Sequence, residues 1–200
     1  MSKEFVLGLS HISLADVAEI ISEDKSISLS DEVVAKVNKC RTYLEEKLAN
    51  SDQPFYGINT GFGSLCDTSI PKDKLIELQR NLVMSHACGV GEKISKKVAK
   101  LILLLKIRNL SLGYSGVRIQ TIQRLIDLYN HDIIPVIYEH GSLGASGDLA
   151  PLAHLSLPLI GLGEVEYNDK IQSTEEVYKQ LNWQPIELPA KEGFALLNST

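Results

Sequence analysis

Residues 141–155 read GSLGASGDLAPLAHL: a serine, Ser146, set between small residues and followed by an acid, a proline and an apolar run. Two common uses of such a stretch fail on spacing. A nucleophile elbow needs Gly-x-Ser-x-Gly, and here Gly147 follows Ser146 directly, one position early. A dinucleotide loop needs Gly-x-Gly-x-x-Gly after a strand. Gly141, Gly144 and Gly147 are wrongly spaced for it, and neither GFGSLC (61–66) nor GVGEKI (89–94) supplies the third glycine. The bland reading is a turn over 141–147 with Asp148 capping a helix that begins between Leu149 and Pro151.

A third chemistry uses every residue of Ala145-Ser146-Gly147. If the Gly147 amide nitrogen attacks the Ala145 carbonyl, a five-membered ring closes, and glycine is required because a side chain would block the approach. Loss of the Ser146 hydroxyl as water then leaves a methylene conjugated to the ring carbonyl, an electrophile that none of the twenty side chains offers. A helix starting alongside aims partial positive charge at negative charge developing on the ring.

Around this stretch the chain reads as an ordinary globular protein. At 44% hydrophobic and 22% charged, its 200 residues can bury a core in one domain or two small ones. The net charge of −5 arises from 25 acids against 20 bases with no basic cluster beyond Lys96-Lys97, which argues against a nucleic-acid partner. Cys40, Cys66 and Cys88 form no disulfide framework and MSKEFVLGLS is no signal peptide, so a reducing cytoplasm is expected. The apolar runs VAKLILLLKI (98–107) and LAPLAHLSLPLIGLG (149–163) are too short for a membrane span and are expected to be buried core.

The patterning predicts a mainly α fold with minor β and no confident internal domain boundary. Ser13 with Asp16 opens a helix to about Ser22, and Val33, Val37, Cys40, Leu44 and Leu48 form one stripe of the next. Pro71 is expected as a first helical residue before Leu75, Leu78, Leu82 and Val83, the helix ending at Gly89/Gly91. Ser95 caps a helix over about 96–111 that is apolar all round at Leu101–Leu105 and therefore central, and Ser115 caps another over about 116–130. EFVLG (4–8) reads as a short strand and GEVEYNDKIQS (163–173) as a hairpin turning at Asn168-Asp169, and Ser173 with Glu176 opens a further helix. EGFALLNST (192–200) begins a helix without a terminating signal, as expected of a fragment of a longer chain.

GSLGASGDLAPLAHL resembles the signature of the aromatic amino acid ammonia-lyases, in which Ala-Ser-Gly cyclises autocatalytically to 4-methylideneimidazol-5-one (MIO). YGINTGFGSL (56–65), NLVMSHACGVGE (81–92), GYSGVR (113–118) and EGFALLN (192–198) are similar to further segments of that family in the same order. Within it the resemblance is closest to the branch acting on L-histidine, which yields trans-urocanate and ammonia. It implies the MIO-bearing N-terminal domain of the ammonia-lyase (L-aspartase-like) fold without the C-terminal helical bundle.

By the same resemblance Ala145, Ser146 and Gly147 are the MIO precursor, Tyr56 is the catalytic base, His86 sets substrate specificity and Asn198 hydrogen-bonds the MIO. A neutral imidazole at His86 suits an imidazole or phenol ring better than an unsubstituted phenyl. The family's usual glycine after the asparagine is replaced by Ser199. A metal site through His86, Cys88 and Cys66 lacks a fourth ligand and paired spacing, so no metal is expected. His11, His131, His140 and His154 are expected to be structural or exposed, and Asp148 to cap a helix and support cyclisation.

Family members form homotetramers whose active sites draw on three subunits, including a tyrosine, an arginine and a glutamate later in the chain. The 200 residues are therefore expected to be inactive alone, with Ala-Ser-Gly uncyclised. The competing readings are a tyrosine ammonia-lyase or aminomutase of the same family, and a noncatalytic oligomerisation domain on the same scaffold.

Overall fold

The computed structural model describes residues 3–51, 53–142 and 149–198. Strand β1 (Glu4–Leu7) leads to helix α1 (Leu14–Ser22), which opens with the expected capping box: the Asp16 amide donates to Ser13 Oγ and the Ser13 amide to the Asp16 carboxylate. Strand β2 (Ser26–Leu29) runs parallel to β1, from Glu4 opposite Ser26 to Leu7 opposite Leu29, with α1 as the crossover. Helix α2 (Asp31–Ala49) buries Val33 and Val37, whereas Cys40, Leu44 and Leu48 are only partly covered, so its inner stripe fades towards the C-terminus.

Pro71 does not begin a helix. It is extended, at ψ 147°, and its carbonyl accepts from the Lys74 amide at 2.9 Å, closing a 3₁₀ turn (Lys72–Lys74) before helix α3 (Leu75–His86). That helix stops three residues short of Gly89, and strand β3 (Val90–Lys93) follows. Helix α4 (Lys96–Ser111) starts as expected, with Ser95 Oγ accepting the Val98 amide.

Ser115 does not cap the next helix. Gly116, at φ 68°, turns the chain away from helical geometry, and helix α5 (Ile119–Asn130) begins after Arg118, whose amide donates to the distant Glu192 carboxylate at 2.7 Å. The cap is thus tertiary, supplied from 74 residues away.

Strand β4 (Ile134–Pro135) precedes β5 (Tyr138–His140), which pairs antiparallel with β3. Helix α6 (Leu149–Ser156) runs into a 3₁₀ turn (Leu157–Ile160) that ends at Gly161 in left-handed geometry. Strands β6 (Glu164–Tyr167) and β7 (Lys170–Ser173) form the expected hairpin, with Asn168 at φ 51° and Asp169 at φ 58° as its turn needs, and β4 adds antiparallel to β6. Helix α7 (Thr174–Leu181) carries the Ser173/Glu176 capping box, and α8 (Glu192–Leu197) ends the described chain.

The core gathers around α4 and α5, where Leu103, Leu104, Ile107 and Leu110 are buried with Ile122, Leu125 and Ile126. Helix α4 is central but not enclosed all round, since Leu105 is 46% exposed. Its two inward cations satisfy main-chain oxygens, as a buried charge must: Arg108 reaches the carbonyls of Gly8 and Ser10, and Lys106 those of Ala195 and Asn198. Among the described residues no helix is long and apolar enough to cross a membrane.

Candidate active site

Helices α3, α6 and α8 pack against one another, and an open cavity of about 470 Å³ lies where they meet. Helix α3 contributes Leu82 and His86 to its wall, α6 contributes Leu149, and α8 contributes Phe194, Leu197 and the adjoining Asn198. The loop before α3 adds Tyr56, Phe62 and Gly63. Three residues singled out in the sequence, Tyr56, His86 and Asn198, therefore line one cavity although 142 positions separate the first from the last. Ala145, Ser146 and Gly147, together with Asp148, lie outside the described residues; Leu149, which follows them, opens α6 at the cavity wall.

The loop carrying Tyr56 is braced from within. Asn59 Oδ1 accepts the Phe55 amide at 2.6 Å, Thr60 Oγ1 accepts from Gly57, and the Gly61 amide reaches the Thr68 carbonyl at 3.0 Å. Gly57 sits at φ 69°, and a Cβ there would come 3.1 Å from Phe62 and 3.3 Å from Phe194, so glycine lets both rings close in. Tyr56 stands edge-on to each, with centroids 6.0 Å from Phe62 and 6.2 Å from Phe194, an arrangement favoured by the ring quadrupoles. Its hydroxyl faces the Gly63 amide at 3.5 Å, and its side of the cavity is open, with the residue 55% exposed.

His86 ends α3 with Nδ1 2.9 Å from the Leu82 carbonyl oxygen. A carbonyl only accepts, so Nδ1 carries a proton, and in a neutral ring that leaves Nε2 as an acceptor. The Asn198 side chain donates through Nδ2 to the Phe194 carbonyl at 2.8 Å, leaving Oδ1 and one amide hydrogen uncommitted by that bond.

Helix α8 has six residues, too few to hold itself, and is fastened to three neighbours. Against α3, Gly193 approaches so closely that a Cβ would lie 2.5 Å from the Gln79 carbonyl oxygen, while Gln79 Oε1 accepts the Phe194 amide. Against α4, Lys106 Nζ donates to the carbonyls of Ala195 at 2.8 Å and Asn198 at 2.9 Å, capping the end of α8. Burial pushes that amine down to about 7. Against α5, the fully buried Glu192 carboxylate accepts from the Arg118 amide and guanidinium and from Thr121 Oγ1 at 2.7 Å.

These fasteners escaped the sequence reading, although a lysine inside VAKLILLLKI was a signal that something polar must meet it. Glu192→Ala is expected to destabilise the fold by about 3 kcal/mol in urea unfolding, the low end for breaking a buried pair, because Arg118 keeps 31% of its side chain in water. Glu192→Gln retains an acceptor and is expected to cost about 1 kcal/mol.

Burial holds the half-buried His154 below its ordinary pKa, and its Nε2 accepts the Gly89 amide at 2.9 Å. A second hollow of about 460 Å³, between the end of α2 and residues 69–75, presents among the described residues Lys72 as its only titratable side chain and no reactive constellation. Among the described residues no group of three or more His, Cys, Asp and Glu could hold a metal ion.

Residues 12–200 match the family model for aromatic amino acid lyase. The chain belongs to the aromatic amino acid lyase family. It is 50% identical over 198 residues to the histidine ammonia-lyase of Legionella pneumophila (strain Lens), covering 99% of this chain and 39% of that protein. The crystal structure of histidine ammonia-lyase from Trypanosoma cruzi superposes with a TM-score of 0.86 at 36% identity, over 98% of this chain and 38% of that one. Tyrosine aminomutase from Streptomyces globisporus gives 0.87 at 33% identity, over 96% and 36%. The chain thus spans well under half the length of the relatives it matches.

Proposed function

We propose that this chain provides the electrophile-forming segment and one wall of the active site of a lyase that eliminates ammonia from L-histidine, giving trans-urocanate. The observation that carries the reading is the meeting of Tyr56, His86 and Asn198 in one cavity beside Leu149, two residues after Gly147 of Ala145-Ser146-Gly147. The cavity suits an MIO made from that triad: its wall is largely apolar and aromatic, Asn198 has hydrogen-bonding capacity to spare, and α6 begins there. When formed, the MIO supplies the electron sink that ammonia loss requires.

The chain's own residues then have separable tasks. Tyr56 takes the β-proton of the substrate, with its ring steadied by Phe62 and Phe194. His86 Nε2 accepts a hydrogen bond from the substrate ring, imidazole N–H or phenol O–H, whereas a phenyl ring has no donor to offer. Asn198 would hydrogen-bond the MIO, and Lys106 holds the backbone that carries Asn198. The remaining groups come from other parts of a cytoplasmic homotetramer, so the 200 residues alone are expected not to turn over.

A tyrosine lyase or aminomutase is the second reading, favoured by the acceptor at His86, which serves a phenol equally well, and by the likeness to a tyrosine aminomutase. Steady-state assays of the full-length lyase on histidine, tyrosine and phenylalanine separate the readings, and activity on none of them would favour the noncatalytic scaffold. In the same assays His86→Leu is expected to lower kcat/KM for histidine by about a hundredfold, because the ring N–H loses its acceptor, while phenylalanine is affected far less. Equal losses on both substrates would argue against a recognition role.

A further inference from the structure

The end of an α-helix leaves carbonyls without main-chain donors. At the end of α8 two such oxygens, those of Ala195 and Asn198, are met by one side chain: Lys106 Nζ donates to them at 2.8 and 2.9 Å. The lysine comes from the core helix α4 and is only 2% exposed. The other inward cation of α4, Arg108, reaches the carbonyls of Gly8 and Ser10 after β1 and so serves the scaffold. Of the two, Lys106 alone reaches a residue that lines the cavity. An ammonium there is costly, and burial pushes the amine down to about 7. An apolar side chain would fill the space without that cost, but would leave both oxygens bare and the end of α8 free to drift.

The other fasteners of α8 act at its start. Glu192 is held from α5, and the Phe194 amide donates to Gln79 Oε1 of α3 at 3.0 Å. Asn198 leaves helical geometry, at ψ 126°, and its amide and Nδ2 both turn back to the Phe194 carbonyl, at 3.2 and 2.8 Å. Those two bonds orient the carboxamide relative to α8 itself. The bonds from Lys106 tie the far end of α8 to α4, and so to the rest of the cavity wall.

We propose that Lys106 is a positioning residue for the elimination, acting through Asn198: by clamping the last carbonyls of α8 to the core helix it fixes where the Asn198 carboxamide stands in the cavity. A displacement of about 1 Å in a positioned group costs about a hundredfold in rate, so a clamp at the backbone of Asn198 carries weight although Lys106 touches no reacting atom. The role rests on the reading above of Asn198 as a hydrogen-bonding partner of the MIO, and the experiment separates the two.

In the full-length lyase, kcat and KM on its preferred substrate are measured for wild type, Lys106→Met, Lys106→Arg, Asn198→Ala and the variant carrying both Lys106→Met and Asn198→Ala, with circular dichroism monitoring the fold. Lys106→Met is expected to lower kcat at least about tenfold with KM moved less than about threefold. Lys106→Arg, which keeps a cation and its donors, is expected to restore most of the loss. In the Asn198→Ala background Lys106→Met is expected to cost less than about threefold more, the non-additivity of residues that act as one. Lys106→Gln, whose donor falls one bond short, replaces Lys106→Met if that variant fails to fold. A second readout needs no turnover: in a Ser146→Ala background, hydrogen exchange over 192–198 is expected to rise at least about tenfold with Lys106→Met. The mass of the 141–155 peptide, which falls by two waters when the ring closes and the Ser146 hydroxyl leaves, shows that the variants compared for turnover carry the same electrophile. Wild-type kcat in a folded Lys106→Met or Lys106→Gln, losses that add to those of Asn198→Ala, unchanged exchange, or retained waters in Lys106→Met would overturn the clamp and leave the role of Asn198 intact. Wild-type kcat in Asn198→Ala would overturn that role, and the clamp's part in turnover with it.

Discussion

Ser146→Ala is expected to lower kcat for ammonia release in the full-length lyase by about a thousandfold or more, about 4 kcal/mol of transition-state stabilisation, with KM little changed. Serine is the only member of Ala145-Ser146-Gly147 with a leaving group on its β-carbon, so alanine allows at most loss of the first water. Without the second, no methylene forms and the site has no electrophile. The β-proton of an amino acid is too weakly acidic, and its amine too poor a leaving group, for side chains alone to compensate. Two measurements check this together: turnover, and the mass of the 141–155 peptide, which should keep at least one more water than the wild type. Retention of more than a tenth of wild-type kcat would rule out the serine as the electrophile's precursor.

Tyr56→Phe is expected to lower kcat by about a thousandfold, within the range for loss of a general base, while the same peptide loses both waters normally. The substitution removes only the hydroxyl. The edge-on contacts with Phe62 and Phe194 and the close approach at Gly57 remain, so Tm is expected to move by no more than about two degrees. Normal prosthetic-group formation with failed turnover would place Tyr56 in the elimination and not in formation of the electrophile. A kcat within threefold of wild type would remove Tyr56 from the proton transfer.

What could be read along the chain was what depends on near neighbours. The capping boxes at Ser13/Asp16 and Ser173/Glu176 and the Asn168-Asp169 turn are each written within about four residues, and the structure contains all three. Ser115 failed as a cap because the adjoining Gly116 bends the backbone out of helical geometry and a carboxylate from Glu192 occupies the end of α5 instead. Pro71 failed because its preferred φ serves an extended residue before a 3₁₀ turn as well as a helix start. The β1–β2 and β3–β5 pairs were missed because each joins strands distant in the sequence, which meet only after the intervening helices, α1 in the first case and α4 and α5 in the second, have folded back.

The sequence by itself determined the covalent possibilities: Ala-Ser-Gly with the residue types for ring closure, a phenol, an imidazole and a carboxamide to surround it, and helices with their own local caps. Only the tertiary structure decided that Tyr56, His86 and Asn198 share a cavity and that six-residue α8 is held by Gln79, Lys106 and Glu192. The physical reason is range. Caps and turns are settled within a few bonds, whereas a buried cation or carboxylate is stable only where residues about 70 to 90 positions away supply its partners, and that proximity exists once the core has closed.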